Sequence, residues 1–483
     1  MGDNAYFTIR ARDVATEHNP LLGAWSSGSA NLGELVNNLG PLQLVLLALP
    51  AKLHGDAGTA LGVAALNIAS VLAALWAARR AGGTAALVAV GLVCAGLGWS
   101  MGSELLIEPR QHHALVLPFL AVLVLSWALA AGHLVALPVL ALAAGLVVQT
   151  HLSFVLPTVA VVLAAASVAL WRVCVRRAGT DAPRNALGWV LAATGVAILA
   201  WVQPLWQQLR APAGEGNLSA LVSVVLSGKG EVGGGGGGGL VHGLRAVATV
   251  VALPPFWGRP GFRELDPAGG LASPAAAVLG LGLVGAVLVV LAVAGRRSGR
   301  PEMTALVVVA SVALVAGTLA AATMPAAEPF GPVAGNYRWL WPISALVTVC
   351  AVAVVDALVP LARRGLVPLG CAALAVLLAL AALPTAYGSP GPEADAPLIP
   401  VARELRAQLG ALDGRDGPVL VERGGMWFGE PYTYVVLAEL QRLGVGFVVD
   451  DPVDERRFGP ARARPELARG VLRLVAGDAA MTA

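Results

Sequence analysis

Residues 59–101 read TALGVAALNIASVLAALWAARRAGGTAALVAVGLVCAGLGWSM. Two apolar runs, 59–78 and 83–101, flank the pair Arg79-Arg80. Each is about 20 residues long, the length a helix needs to cross the hydrocarbon of a bilayer. A water-soluble helix would place charge every few residues along its outer face, and neither run contains any. Asn67, in mid-run, reads as a helix–helix hydrogen-bonding group. The stretch is a membrane hairpin with a basic turn.

Working outward, eight more runs follow, at 114–131, 134–149, 153–174, 186–203, 275–295, 303–323, 340–361 and 366–383. The whole chain has 483 residues, 57% hydrophobic and 13% charged, where a soluble protein carries roughly a quarter charged. The fold class is therefore an all-α polytopic membrane protein of about ten spans. The basic residues come in short clusters between the runs rather than as one patch, which argues against nucleic acid as a partner. Cys94, Cys174, Cys350 and Cys371 lie in or beside apolar runs, without paired or metal-ligand spacing.

The arginines fix an expected orientation. Arg79-Arg80, Arg172 with Arg176, Arg177 and Arg184, Arg296-Arg297 with Arg300, and Arg363-Arg364 fall on alternate turns. Basic residues beside spans are retained in the cytoplasm, so that side is inside. Segments 1–58, 102–113, 203–274, 324–339 and 384–483 then lie outside, and both ends of this chain with them. No cleavable signal peptide is visible ahead of the polar opening segment, so a further span upstream is expected to carry it across. Residues 41–53 and 241–257 are apolar but read as interfacial or re-entrant helices: the first is too short to cross, and counting the second as a span would put the Arg296 cluster outside.

Three regions follow: an outer loop with an interfacial helix (1–58), the transmembrane domain (59–383) with its long outer loop (203–274), and a polar tail (384–483). The glycine run within 232–240 reads as a flexible part of that loop. The tail alternates helix (399–412), strand (418–422), helix (431–443) and strand (445–450), a small extracytoplasmic α/β unit whose last 30 residues read as poorly ordered.

The spans are nearly free of ionisable groups, and polar chemistry concentrates in four outer clusters. That is unlike a transporter or lipid flippase, which keeps its site near the midplane. The first cluster is the opening segment, with Asp3, Arg10, Arg12 and Asp13; if residues 5–16 are helical, Tyr6, Arg10 and Asp13 share one face. The second runs from Glu104 through Glu108 to His112 and His113. The third is Gln149-Thr150-His151-Leu152-Ser153, and the fourth Asn336-Tyr337-Arg338-Trp339.

GDNAYFTIRARDV (2–14) resembles the first outer loop of the GT-C glycosyltransferases, polytopic enzymes that use polyprenyl-phosphate sugars. Protein O-mannosyltransferases and aminoarabinose transferases are distant members. NPLLGAWSS, VNNLGPLQLVLLALPAKLHG, EPRQHHALVLPFL, QTHLSFVLP, WVQPLWQQL, LPPFWGRP and NYRWLWPI are similar, in order, to stretches of actinobacterial proteins assigned to that superfamily. The resemblance implies a GT-C-like membrane fold and an enzyme of the bacterial plasma membrane, active at the outer face. Such an enzyme transfers a hexosyl or pentosyl group, with inversion, to a glycan, lipid or protein acceptor. It implies Asp3 as the catalytic base. Arg10, Arg12, Asp13, Asn38, Glu108, His112, His113, Gln149, His151, Asn336, Tyr337 and Arg338 are the substrate-binding candidates. No cofactor is expected, the lipid-linked donor being a co-substrate; no metal ligand is assigned, and dependence on a divalent metal stays open. Asn4 stands where several relatives carry a second acid, Asn38-Leu39 where close relatives show His-Pro, and Arg110-Gln111 in place of Trp-Asn. These departures leave a non-catalytic scaffold of the same fold as the rival reading beside transport.

Overall fold

The computed structural model describes residues 2–26, 36–177, 185–212, 216–227, 238–253, 271–324, 334–359, 365–383, 398–412, 417–424 and 430–475. The described part of each expected span falls mainly on helix. Among the described residues seven helices are long and apolar enough to cross a membrane; Leu134–Thr150 and Leu366–Ala381 are apolar but shorter. The longest, Leu42–Leu105, contains both runs of the hairpin and leaves helical geometry at Gly55, Gly82, Gly83 and Gly102. Gly82-Gly83 follows Arg79-Arg80 and turns the first run into the second.

Gly55 (φ 58°) makes a sharper reversal in a backbone region that L side chains avoid. Residues 42–54, expected to lie in the interface, are helical and fold back on the first run. A side chain at Gly58 would strike the Pro50 carbonyl, and one at Gly62 the Leu47 side chain. The expected helix at 241–257 is observed as Gly239–Val251, and residues 254–257 lie outside the described residues. It packs against the last turns of Pro301–Thr323 and reaches Gly280 through Ala252. The glycine run at 233–237 and the residues Arg184 and Arg363-Arg364 also lie outside the description.

Every residue of Val116–Ala130 is buried, and among the described residues five other long helices pack on it. A span buried on all sides reads as apolar all round, as this one does. The bundle's two ends are distinct. At one, Arg172 donates to the carbonyls of Ala131 (3.1 Å) and Pro301 (3.0 Å), Trp127 donates to the Glu302 carbonyl (2.8 Å), and Arg80 and Arg172 both face His133. The described arginine turns therefore share an end. At the other, Gln43 donates to the Pro109 carbonyl (2.8 Å), Gln111 to the Thr150 carbonyl (3.0 Å), and the Leu152 N–H to Asn38 Oδ1 (3.0 Å).

The tail forms a three-stranded parallel sheet in the order β2-β1-β3, with β1 Val419–Gly424, β2 Phe447–Val448 and β3 Val471–Val475. Helix Tyr432–Arg442 connects β1 to β2, as the βαβ reading expects. Residues 476–483 lie outside the described residues; as far as Val475 the expectation for the last 30 residues is corrected. A helix, Pro452–Phe458, and the strand β3 lie there, β3 pairing with β1 from Leu420–Val471 to Gly424–Val475. Asp454 takes Arg457 (3.0 Å) and Arg423 (2.5 Å), and Asp451 caps the helix from its own side chain. Phe458 anchors it, fully buried against Phe447 and Tyr434.

Candidate functional site

The opening segment forms helix Gly2–Asp13, with Tyr6, Arg10 and Asp13 buried on one face as the periodicity requires. That face packs on the tail. Tyr6 donates to the Arg457 carbonyl (3.2 Å) and stacks on Tyr434 and Phe458. Asp13 is 2% exposed. It receives Arg10 (2.7 Å), both terminal nitrogens of Arg462 (2.7 Å each) and the Gln441 amide (2.9 Å). Burial alone would lower the charge preference of Arg462, and Asp13 offsets that penalty. The helix's other side meets the 42–59 arm: Thr8 Oγ1 lies 2.9 Å from Thr59 Oγ1, and Arg12 donates to the Ala51 carbonyl (3.2 Å). Asp3 is exposed in the first turn, close enough to Tyr434 for their charges to interact. Among the described residues no hydrogen bond or ion pair joins it to the groups below.

The second, third and fourth clusters do converge. Asn38 is the brace, with its amide nitrogen on the Ala24 carbonyl (3.0 Å) and its oxygen on the Leu152 N–H (3.0 Å). Gln149, fully buried, accepts the Gly40 N–H at its carbonyl (3.1 Å) and donates to the Ala200 carbonyl (2.8 Å). These bonds fix the turn at His151. Its Nδ1 accepts the Ser153 N–H (3.3 Å) and lies 2.8 Å from Ser153 Oγ, so the neutral ring carries its proton on Nε2. Burial lowers His151 to about 4, which keeps it neutral at physiological pH.

His112 stacks on His113 (centroids 4.2 Å apart) and lies edge-on to His151 (6.3 Å). The other charges it feels are Arg110 and Arg338. Glu108, 4% exposed, pairs through one oxygen with Arg110, and its other oxygen has no hydrogen-bond partner among the described residues. Arg338 is 3% exposed, its guanidinium 4.6 Å above the Trp341 ring. Burial and the neighbouring Arg110 push it down to about 9, so it stays charged at neutral pH. Tyr337 is buried with its hydroxyl 2.9 Å from His242 Nε2, and the Asn336 carbonyl accepts the Trp339 indole N–H (2.9 Å).

Among the described residues the centre holds two arginines, Arg338 buried and Arg110 38% exposed, and the carboxylate of Glu108, with three imidazoles around them. Guanidinium groups beside imidazole N–H donors favour an anionic oxygen ligand over a cation. Among the described residues no three His, Cys, Asp or Glu side chains converge at metal-binding distance. Arg110, Gln111, Ser153, Gln43 and His242 belong to this end of the bundle and were not among the expected site residues. Polar side chains at the edge of an apolar run are the signal that would have found them.

Gly40 sets how closely the brace can approach. A methyl group there would meet the Gln149 amide oxygen at 2.2 Å and Pro204 at 2.6 Å. Gly40→Ala is expected to destabilise the chain by about 1–3 kcal/mol, read as a lower midpoint of thermal aggregation in mild detergent.

Neither a comparison with known protein families nor one with curated proteins returns a match. Solved structures similar to the chain include ArnT from Cupriavidus metallidurans bound to undecaprenyl phosphate, at 12% identity over 97% of this chain and 87% of that one, with a TM-score of 0.47. ArnT from the same organism in the apo state is similar at 13% identity over 96% and 84%, with a TM-score of 0.44. The Archaeoglobus fulgidus oligosaccharyltransferase in complex with Zn and sulfate is similar at 13% identity over 95% and 62%, with a TM-score of 0.34. At these values the chemistry rests on the chain's own residues.

Proposed function

We propose that the chain is a GT-C-type glycosyltransferase that moves a sugar from a polyprenyl-phosphate donor to a cell-envelope acceptor at the outer face of the membrane. The observation that carries this reading is the Arg110–Arg338–histidine centre at the end of the bundle opposite the arginine-rich turns. A prenyl chain needs hydrocarbon, and its phosphate needs fixed positive charge where the hydrocarbon ends. An apolar bundle with a buried cationic centre at one end supplies both. The order of sequence resemblances from Gly2 to about Pro342 supports the same activity. The positive-inside rule supports an outward-facing centre with both ends of this chain outside.

In the reaction the bond between the sugar's anomeric carbon and the phosphate oxygen breaks as the acceptor oxygen attacks from the opposite face. One displacement inverts the anomeric carbon, and the electron pair leaves on the phosphate. Arg110 and Arg338 stabilise that added charge, and the histidine N–H groups add hydrogen bonds. Glu108 orients Arg110. The acceptor proton requires a carboxylate within hydrogen-bond reach, and Asp3 is the candidate base.

Membranes containing the full chain, incubated with a panel of labelled prenyl-phosphate sugars, test the activity. Transfer of label to a non-prenyl product is the expected result. Label that stays on the lipid but crosses the bilayer would replace this reading with transport, and label neither transferred nor moved would favour the scaffold.

A further inference from the structure

We infer that His242, on the short helix Gly239–Val251, is a positioning residue for the cationic centre: it grips the Tyr337 hydroxyl and so fixes the turn that aims Arg338. The inference rests on the reading of that centre as a phosphate site.

The helix bearing His242 is held on three sides. A side chain at Gly243 would lie 2.5 Å from the Thr318 carbonyl oxygen and 2.9 Å from the Ala322 nitrogen, so the two backbones are in direct contact. At its start the Gly238 N–H donates to the Met324 carbonyl (3.2 Å). On the other flank Arg245 donates to the Ala272 carbonyl (2.8 Å), and the Ala272 N–H donates to Thr249 Oγ1 (2.8 Å). The imidazole therefore projects from a fixed platform, and its Nε2 meets the Tyr337 hydroxyl at 2.9 Å.

Tyr337 belongs to the turn Ala334–Tyr337, whose next residue is Arg338. A guanidinium on a short turn is aimed by the backbone that carries it. Among the contacts that hold this backbone are the Trp339 indole on the Asn336 carbonyl, the Trp341 N–H on the Arg338 carbonyl (3.2 Å), and the His242–Tyr337 bond. The first two lie within the turn and its own helix. The third ties the turn to a separate element. Tyr337 is pushed up to about 12 by burial, and burial with Arg245 lowers His242, so both are neutral at physiological pH and the hydroxyl can donate to the ring. The His242 side chain bonds to Tyr337, and its effect on Arg338 passes through that residue.

The test uses the full chain in mild detergent, with undecaprenyl phosphate as the probe and amide hydrogen exchange across residues 334–341 as a second readout. His242→Ala and Tyr337→Phe are each expected to weaken binding by about fivefold to tenfold and to speed exchange in that segment by a similar factor. The double variant should match either single one, because both remove the same bond. His242→Gln, whose side-chain amide reaches the position of Nε2 and can turn its oxygen there as the acceptor, should stay within about twofold of wild type. Unchanged exchange in both single variants, or fully additive losses in the double, would overturn the inference. Faster exchange with unchanged affinity would also overturn it, since the turn would then not aim a ligand group. Wild-type protein that binds no undecaprenyl phosphate would overturn the functional reading instead, leaving the exchange result to decide whether His242 holds the turn.

Discussion

Asp13→Ala is expected to destabilise the protein by about 3–5 kcal/mol, the usual consequence of removing one partner from a buried ion-pair network. The substitution leaves Arg10 and Arg462, 6% and 4% exposed, adjacent to each other with no acid between them. It also removes the Gln441–Asp13 bond, leaving Tyr6, Arg10 and Gln441 to bridge helix Gly2–Asp13 and the tail through backbone carbonyls. The readouts are a lower denaturation midpoint in detergent and faster protease release of the tail. Asp13→Asn should fall between alanine and wild type, since an amide accepts one guanidinium bond but carries no charge. Both variants at wild-type stability, with only the Michaelis constant changed, would return Asp13 to the substrate-binding role that its helical face first suggested.

Asp3→Asn is expected to lower sugar transfer by about 10²–10⁴-fold, the range for removing a general base. Asp3 is exposed at the first turn of its helix, so stability should change by no more than about 0.5 kcal/mol. Loss of turnover with an unchanged midpoint and unchanged binding of undecaprenyl phosphate is the combination a base predicts. Glu108→Gln is the companion variant, because Glu108 is the carboxylate that faces the cationic centre. If Asp3→Asn turns over like wild type while Glu108→Gln does not, the base is Glu108.

The membrane architecture was legible because lipid imposes a simple rule. Backbone polar groups must be satisfied within each span, so crossings appear as apolar helical runs of fixed length. The same rule exposed the Arg79-Arg80 turn, and the tail's alternating pattern exposed its βαβ unit. The helical face of Tyr6, Arg10 and Asp13 was legible too, since periodicity alone fixes it. Its partner was not. Arg462 is 449 residues from Asp13 in the chain, and a pairing at that separation leaves no local trace in composition or spacing. The order of the final tail segment was hidden for the same reason, since Arg462 and Asp454 pair with Asp13 and Arg423, residues distant in the chain.

Three site clusters could be read because each lies where a span begins or ends, and spans that alternate in direction bring such positions to one end. How they fit together could not be read. It depends on Asn38 reaching Leu152 and on Gly40 packing against Gln149, contacts set by a close approach of backbones rather than by a motif. His242 is a different case. A histidine beside Arg245 in a largely apolar helix is itself a signal, and it lay in a segment read only for its hydropathy.

The most direct test of the central claim is a titration of the purified chain with undecaprenyl phosphate, beside the Arg110→Ala/Arg338→Ala double variant, with undecaprenol as the uncharged control. Two charge-assisted hydrogen bonds to the phosphate predict that the double variant loses at least about a hundredfold in affinity for the phosphate. Its affinity for undecaprenol should equal that of wild type. Equal phosphate affinity in a folded double variant and in wild type would contradict the account.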